Sequence, residues 1–202
     1  MFMYNPVIKI AFTAIAVLIF YLALRGIYCV VNKSKFNIKK EILPCIFACY
    51  IGALICILIT RNMHSHIENV EGVLFLRIVL GNIEARDFNL IPFKTLSTQI
   101  GDILSGNLQF SPLLNIVGNF IVFAPLPVFI KLVNKRIKSI FALLISFVSI
   151  IAVEVIQYLI GRAADIDDVI LNMAGCIIAV IIFDQIVKRI KKRKALQTEQ
   201  AH

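Results

Sequence analysis

Charged residues are scarce in this 202-residue chain, at 16% of the sequence, whereas hydrophobic residues make up 59%. A soluble domain carries about 25% charged residues, and a mean hydropathy of +0.88 leaves too little polar surface to face water. The composition therefore excludes a soluble protein and predicts an integral membrane protein. Its apolar runs are about 20 residues long and do not alternate with polar residues, which predicts spanning helices rather than strands.

The sequence also lacks the usual signatures of metal, nucleotide and hydrolase sites. The five cysteines form no Cys-x-x-Cys pair and no Cys/His ligand spacing, so neither a disulfide framework nor a zinc site is indicated. No Gly-rich phosphate loop, Ser/His/Asp set or nucleotide fingerprint occurs. One His-x-His-x-Glu run, from His64 to Glu68, would bind zinc if extended, but a lone run of this kind is usually a solvated loop. We therefore predict no metal site.

Five apolar stretches are long enough to cross a membrane, and they lie at about residues 7–31, 42–60, 112–133, 139–160 and 169–187. The chain length allows one unit, so residues 1–202 are predicted to form a single all-α membrane bundle. The external segment 61–111 contains one further helix, because apolar residues recur every three or four positions from Phe93 to Leu104. Pro92 suits the start of this amphipathic helix, which we expect to lie on the membrane surface.

The distribution of cations predicts the orientation of the chain. Fourteen of the 21 Lys and Arg residues lie in the segments 32–41, 131–138 and 188–194. All three segments are cytoplasmic only if the N-terminus is outside the cell and the C-terminus is inside. The net charge of +9 then reflects topology, a basic cytoplasmic tail at 188–202 and attraction to anionic membrane lipids, so no nucleic-acid partner is needed. Arg25, near the inner end of the first span, is expected to extend to the interface.

Polar residues within the last three spans cluster near their outer ends at spacings of three or four residues, which place them on shared helix faces. They are Asn115, Asn119, Glu154, Gln157, Asp165, Asp168 and Asn172. Because these helices alternate in direction, their polar groups reach the same depth, and this predicts a functional pocket. Gly118 is expected to permit close helix approach. The alternative is a structural latch in which Arg162 pairs with the carboxylates and the asparagines link the helices.

These residues belong to four ordered motifs that resemble those of the VanZ-like membrane proteins over about residues 74–182. The motifs are Asn89-Leu90-Ile91-Pro92-Phe93, Asn115-x-x-Gly118-Asn119-x-x-x-Phe123-x-Pro125, Glu154-x-x-Gln157 and Arg162-x-x-Asp165-x-x-Asp168-x-x-x-Asn172-x-x-Gly175. The resemblance implies an all-helical bacterial envelope protein, whose best-known relative confers low-level resistance to the lipoglycopeptide teicoplanin. Two positions depart from the pattern. Pro127 replaces a usual glycine, which bears on the bend of the third span, and Ala163 replaces a common serine, which argues against a hydroxyl nucleophile there.

Two functions of different class remain open on the sequence. In the first, the pocket binds or chemically alters an outer-leaflet molecule, such as a lipid-linked wall precursor or an anionic polymer. Glu154 would then act as general acid or base, Arg162 would hold phosphate, and Asp165 with Asp168 would position Arg162 or a cation. The predicted binding residues are Asn89, Asn115, Asn119, Gln157, Arg162 and Asn172.

In the second function, a non-catalytic module sequesters a lipophilic antibiotic or supports another envelope protein. A transporter is disfavoured because the polar groups stop in the outer half of the spans and leave no polar path inward. The residues leave the natural ligand and any cofactor open.

Overall fold

The computed structural model describes residues 6–33, 37–59, 64–70, 73–79, 88–105, 110–160 and 163–200. These ranges contain seven helices and four strands. In chain order they are α1 (Pro6–Val31), α2 (Ile38–Ile59), β1 (His64–Val70), β2 (Val73–Val79), β3 (Phe88–Asn89), α3 (Lys94–Leu104), α4 (Phe110–Val122), α5 (Pro125–Val133), α6 (Ser139–Leu159), β4 (Ala164–Asp165) and α7 (Ile166–Gln200).

The five predicted spans and the all-α class are confirmed. Helices α1, α2, α6 and α7 are each long and apolar enough to cross a membrane, and α4 with α5 supplies the remaining candidate span, Pro112–Val133. The chain is therefore a multi-pass membrane protein. The last helix is longer than predicted: α7 continues through the basic segment as far as Gln200, because Lys, Arg, Gln and Ala favour helix even where no apolar face directs packing.

The third span is interrupted between α4 and α5, as its prolines predict. The helix stops at Val122, passes through Phe123 and Ala124, and restarts with Pro125 at its first position. Proline has no amide hydrogen to continue the helix and clashes with the preceding turn, whereas the same residue suits a helix start. Pro127 stands where the family pattern has glycine, and it is buried within α5. The third span is interrupted even though this glycine is replaced.

Contacts between residues divide the chain into two compact units, of which the first comprises Met1–Asn89 and Ala152–Ala164. Its core is the packing of α1 against α2. A Cβ on Gly52 would lie 2.6 Å from the Cα of Ala14, so only glycine permits this approach of the two backbones. The hairpin of β1 and β2 is antiparallel, with His64 opposite Val79. The sequence analysis did not predict these strands.

An ion pair joins α1 to α2 within this first unit. The Arg25 Nη2 lies 2.8 Å from the Glu41 Oε1, and the Tyr21 hydroxyl donates a hydrogen bond of 2.5 Å to the Glu41 Oε2. Glu41 is buried, so its charge requires such partners. The guanidinium of Arg25 therefore binds a carboxylate on the neighbouring helix, a partner that the sequence analysis did not identify.

The second unit comprises Leu90–Ile151 and Asp165–His202. Helix α7 contacts α3, α4 and α5, and its closest approach is at Gly175, where an added Cβ would lie 1.8 Å from the carbonyl oxygen of Phe120. The next residue, Cys176, donates a hydrogen bond to the carbonyl oxygen of Phe123 at 3.3 Å. The close approach expected at Gly118 is wrong for the described residues, because a Cβ there would meet none of their atoms within 4 Å.

Candidate functional site

The start of α7 brings three carboxylates into one turn, and each has a different partner. Asp165 precedes the helix, and its Oδ1 accepts the amide hydrogen of Asp167 at 3.0 Å. This is the hydrogen bond of a helix N-cap, which satisfies one of the amides left free at the first turn. Negative charge at this end of the helix is also favoured by the helix dipole. Asp165 therefore sets where α7 begins.

Asp167 caps a second helix. Its two carboxylate oxygens accept the amide hydrogens of Phe93, at 2.5 Å, and of Leu96, at 2.9 Å. These are the N-cap and N3 positions of α3, the same two amides that a capping box satisfies within one helix. Phe93 has no side-chain acceptor and adopts a left-handed backbone with φ of 64°. The buried Asp167 carboxylate, 2% exposed, therefore holds the turn into α3.

The sequence analysis did not include Asp167 among the site residues. The sequence does indicate that this helix needs an acceptor from elsewhere. Its N-cap residue, Phe93, is not polar and its N3 residue, Leu96, is not acidic, so neither side chain can cap the helix. A helix with no cap of its own needs acceptors from elsewhere in the fold. The helix itself is present as α3, Lys94–Leu104, and it contacts α4 and α7.

Asp168 joins α7 to α4. The side-chain amide of Asn119 donates a hydrogen bond to the Asp168 Oδ1, so the structure brings together two residues that the sequence analysis placed in the pocket. Asp168 is buried, and a charge-assisted bond of this kind stabilises the ionised carboxylate more than a neutral pair would. Asn115 lies one turn before Asn119 on α4 and is half-buried.

Asn172 occupies the same face of α7, one turn after Asp168. Its side chain is 2% exposed, and its carbonyl oxygen has no hydrogen-bond partner among the residues that the structure describes. Along α7, Asn172 lies between two contacts with α4. One is the hydrogen bond from Asn119 to Asp168, and the other is the close approach of Gly175 to Phe120. An unpaired buried acceptor costs about 1–3 kcal/mol, so this oxygen is suited to accept a hydrogen bond from a ligand.

The remaining predicted residues lie in the first unit or outside the described ranges. Glu154 and Gln157 occupy successive turns of α6 and are both buried, with Glu154 8% exposed. Asn89 ends β3 and is half-buried. Arg162 lies outside the described residues, so its predicted role in holding phosphate stays a prediction.

Within the described ranges, no group of three or more His, Cys, Asp or Glu side chains is arranged to hold a metal ion. The backbone from His64 to Glu68 forms part of β1, but the side chains of this strand lie outside those described.

Five long apolar spans, with amide and carboxylate side chains near the start of the last one, define a multi-pass helical membrane protein with a buried polar cluster. The chain belongs to the VanZ/LLP1 family, whose model matches residues 47–188, more than half of its length. The resemblance drawn from the motifs is therefore confirmed, and the match begins earlier in the chain than the motifs do. No curated protein and no solved structure matches the chain.

Proposed function

We propose that the protein contributes to teicoplanin-type glycopeptide resistance in the bacterial envelope by binding an outer-leaflet molecule between α4 and α7. Family membership supports the envelope setting. The observation that carries the binding site is the buried carbonyl oxygen of Asn172, which has no partner among the described residues. It lies one turn from the hydrogen bond between Asn119 and Asp168.

The chemistry of this cluster favours a ligand rich in hydrogen-bond donors. Its described polar groups are three carboxylates and the side-chain amides of Asn119 and Asn172, and carboxylates accept but do not donate when ionised. Ammonium, amide and hydroxyl groups meet this requirement, and they occur on the peptide and sugar portions of lipid-linked wall precursors and of lipoglycopeptides. An anionic ligand would need a cation at the cluster, which is the role predicted for Arg162.

A second candidate function is chemical alteration of an outer-leaflet molecule, and the burial of Glu154 favours it. A carboxylate that is 8% exposed within a spanning helix is costly unless it has a polar role. Glu154 would then act as general acid or base.

Asn172→Leu tests the binding site because it removes the unpaired oxygen while keeping the side-chain size. We expect the variant to be as stable as the wild type or more stable, by up to about 1–3 kcal/mol, because no buried acceptor is left unpaired. We expect it to lose protection against teicoplanin. Stability is measured by thermal unfolding of the purified protein, and protection by the inhibitory concentration for a susceptible host that expresses it.

Ser149→Ala is the matched control, since among the described residues the Ser149 hydroxyl donates only to the Ile145 carbonyl of its own helix, α6. This variant should retain protection. Full protection by Asn172→Leu would reject the binding site. Mass spectrometry of extracted lipids and wall precursors distinguishes the two candidate functions: a change in these molecules that disappears in Glu154→Ala supports chemistry, and protection without any change supports binding alone.

The proposed site requires an external N-terminus and a cytoplasmic C-terminus, as the positive-inside rule predicts. Single cysteines placed at Thr98 on α3 and at Lys135 in the turn between α5 and α6 test this orientation, because both positions are exposed. In a background without the native cysteines, a membrane-impermeant thiol reagent added to intact cells should label Thr98→Cys and not Lys135→Cys. The reverse pattern would overturn the orientation and move the site to the inner leaflet.

A further inference from the structure

A basic groove of about 750 Å³ lies in the second unit, where the turn between α5 and α6 meets the later part of α7. Six of its lining residues are lysines: Lys131, Lys135, Lys138, Lys188, Lys191 and Lys194. Apolar side chains, among them Phe183, Ile186 and Ile190, line most of the rest of it. The groove therefore combines a strong positive charge with an apolar wall.

One lysine and the acidic residue of the groove neutralise each other. The ammonium of Lys131 forms an ion pair with Asp184 and donates a hydrogen bond of 2.6 Å to the Ser139 hydroxyl. That hydroxyl in turn donates to the other Asp184 oxygen, also at 2.6 Å. None of the other five lysines forms an ion pair with a residue that the structure describes. Their charge is left for an external anion.

The groove lies at the depth where membrane spans end. Helix α5 ends at Val133 and α6 begins at Ser139, so the turn between them marks one surface of the bilayer. Asp168 and Lys188 are 20 residues apart on the same helix, which is about 30 Å at the rise of an α-helix and matches the thickness of the hydrocarbon core. The groove is therefore at the opposite membrane surface from the polar cluster, and its function is independent of the one proposed above.

We propose that this groove binds the headgroup of an anionic phospholipid that carries two phosphate groups. Lysine ammonium groups bind phosphate as point charges, and basic pockets between spanning helices are suited to multiply charged headgroups. A single phosphodiester carries one negative charge, far fewer than the five uncompensated lysines supply. A headgroup with two phosphates can interact with more of these lysines than a single phosphate can. Phe183, Ile186 and Ile190 provide apolar surface for the attached acyl chains.

The test compares two triple variants of the full-length purified protein in detergent micelles. Lys188→Gln/Lys191→Gln/Lys194→Gln removes three groove charges, whereas Arg189→Gln/Lys192→Gln/Arg193→Gln removes three charges from the same stretch of α7 that do not line the groove. The probe is cardiolipin, and its affinity is measured by native mass spectrometry. Each lysine near an anionic lipid strengthens binding by about fivefold, so we expect the groove variant, which lacks three lysines, to bind about 100-fold more weakly. The control should bind within about threefold of the wild type.

Three results would overturn the proposal: equal losses in the two triple variants, equal affinity for phosphatidylglycerol and cardiolipin at matched total charge, or displacement of cardiolipin by inorganic pyrophosphate at the same concentration. The first two would indicate a diffuse charge effect, and the third a site for free phosphate. If the groove variant does not fold, Lys135→Gln/Lys138→Gln on the other wall of the groove provides the same test, with a smaller expected loss of about 25-fold.

Discussion

Asp167→Ala is expected to detach the start of α3 from α7 and to lower the free energy of unfolding by about 3–5 kcal/mol. Each hydrogen bond to a charged group contributes about 1.5–3 kcal/mol, and Asp167 accepts two, from the amides of Phe93 and Leu96. Alanine leaves both amides without an acceptor at a helix start that has no side-chain cap of its own. The loss is measured by thermal or denaturant unfolding of the purified protein.

Asp102→Ala is the matched control for this prediction, because Asp102 is an exposed carboxylate on the same helix α3. Its removal should change stability by less than about 0.5 kcal/mol. Asp167→Asn keeps one acceptor oxygen, so it should fall between the wild type and Asp167→Ala. If Asp167→Ala and Asp102→Ala have the same free energy of unfolding, the capping role of Asp167 is wrong.

Gly175→Ala is expected to be the most disruptive single methyl addition in the second unit. The new Cβ would lie 1.8 Å from the Phe120 carbonyl oxygen, which is a backbone atom and cannot rotate away. Overpacking of a core usually costs about 1–3 kcal/mol, and a clash with backbone belongs at or above the upper end of that range. We expect a loss of at least about 3 kcal/mol, or failure to recover monodisperse protein.

Gly118→Ala provides the contrast within α4, because no atom of the residues that the structure describes lies within 4 Å of its Cβ position. Alanine is favoured over glycine inside a helix by about 1 kcal/mol, so this variant should be neutral or slightly stabilising. A stable Gly175→Ala protein with wild-type unfolding behaviour would contradict the close packing of α4 and α7.

The packing at Gly175 also supports the polar cluster. Asn172 lies one turn before Gly175 on α7, and Asn119 is next to Phe120 on α4. A side chain at position 175 that pushed the two helices apart would lengthen the hydrogen bond between Asn119 and Asp168. Under the proposed function, Gly175→Ala is therefore expected to lose protection against teicoplanin even where some folded protein is recovered, whereas Gly118→Ala should retain it.

The spans and the interruption of the third one could be predicted from the sequence because they depend on local chemistry. A run of about 20 apolar residues is long enough to cross the hydrocarbon core wherever it occurs. Pro125 disfavours a continuous helix because its ring has no amide hydrogen to donate and clashes with the preceding turn, although α2 accommodates Pro44 in its interior. The periodicity from Phe93 to Leu104 likewise specified a helix, present as α3, without reference to the rest of the chain.

The partners within the site were decided by tertiary structure. Asp165, Asp167 and Asp168 lie within four residues, yet one caps its own helix, one caps α3 from 74 and 71 residues away, and one binds Asn119 from 49 residues away. Which carboxylate faces which helix depends on the rotation of α7 about its axis. That rotation is set by the close contact of Gly175 with Phe120, and such a contact between distant segments leaves no local pattern in the sequence. The sequence by itself therefore determined the helices and the polar residues that they carry, whereas helix packing decided which of those residues meet.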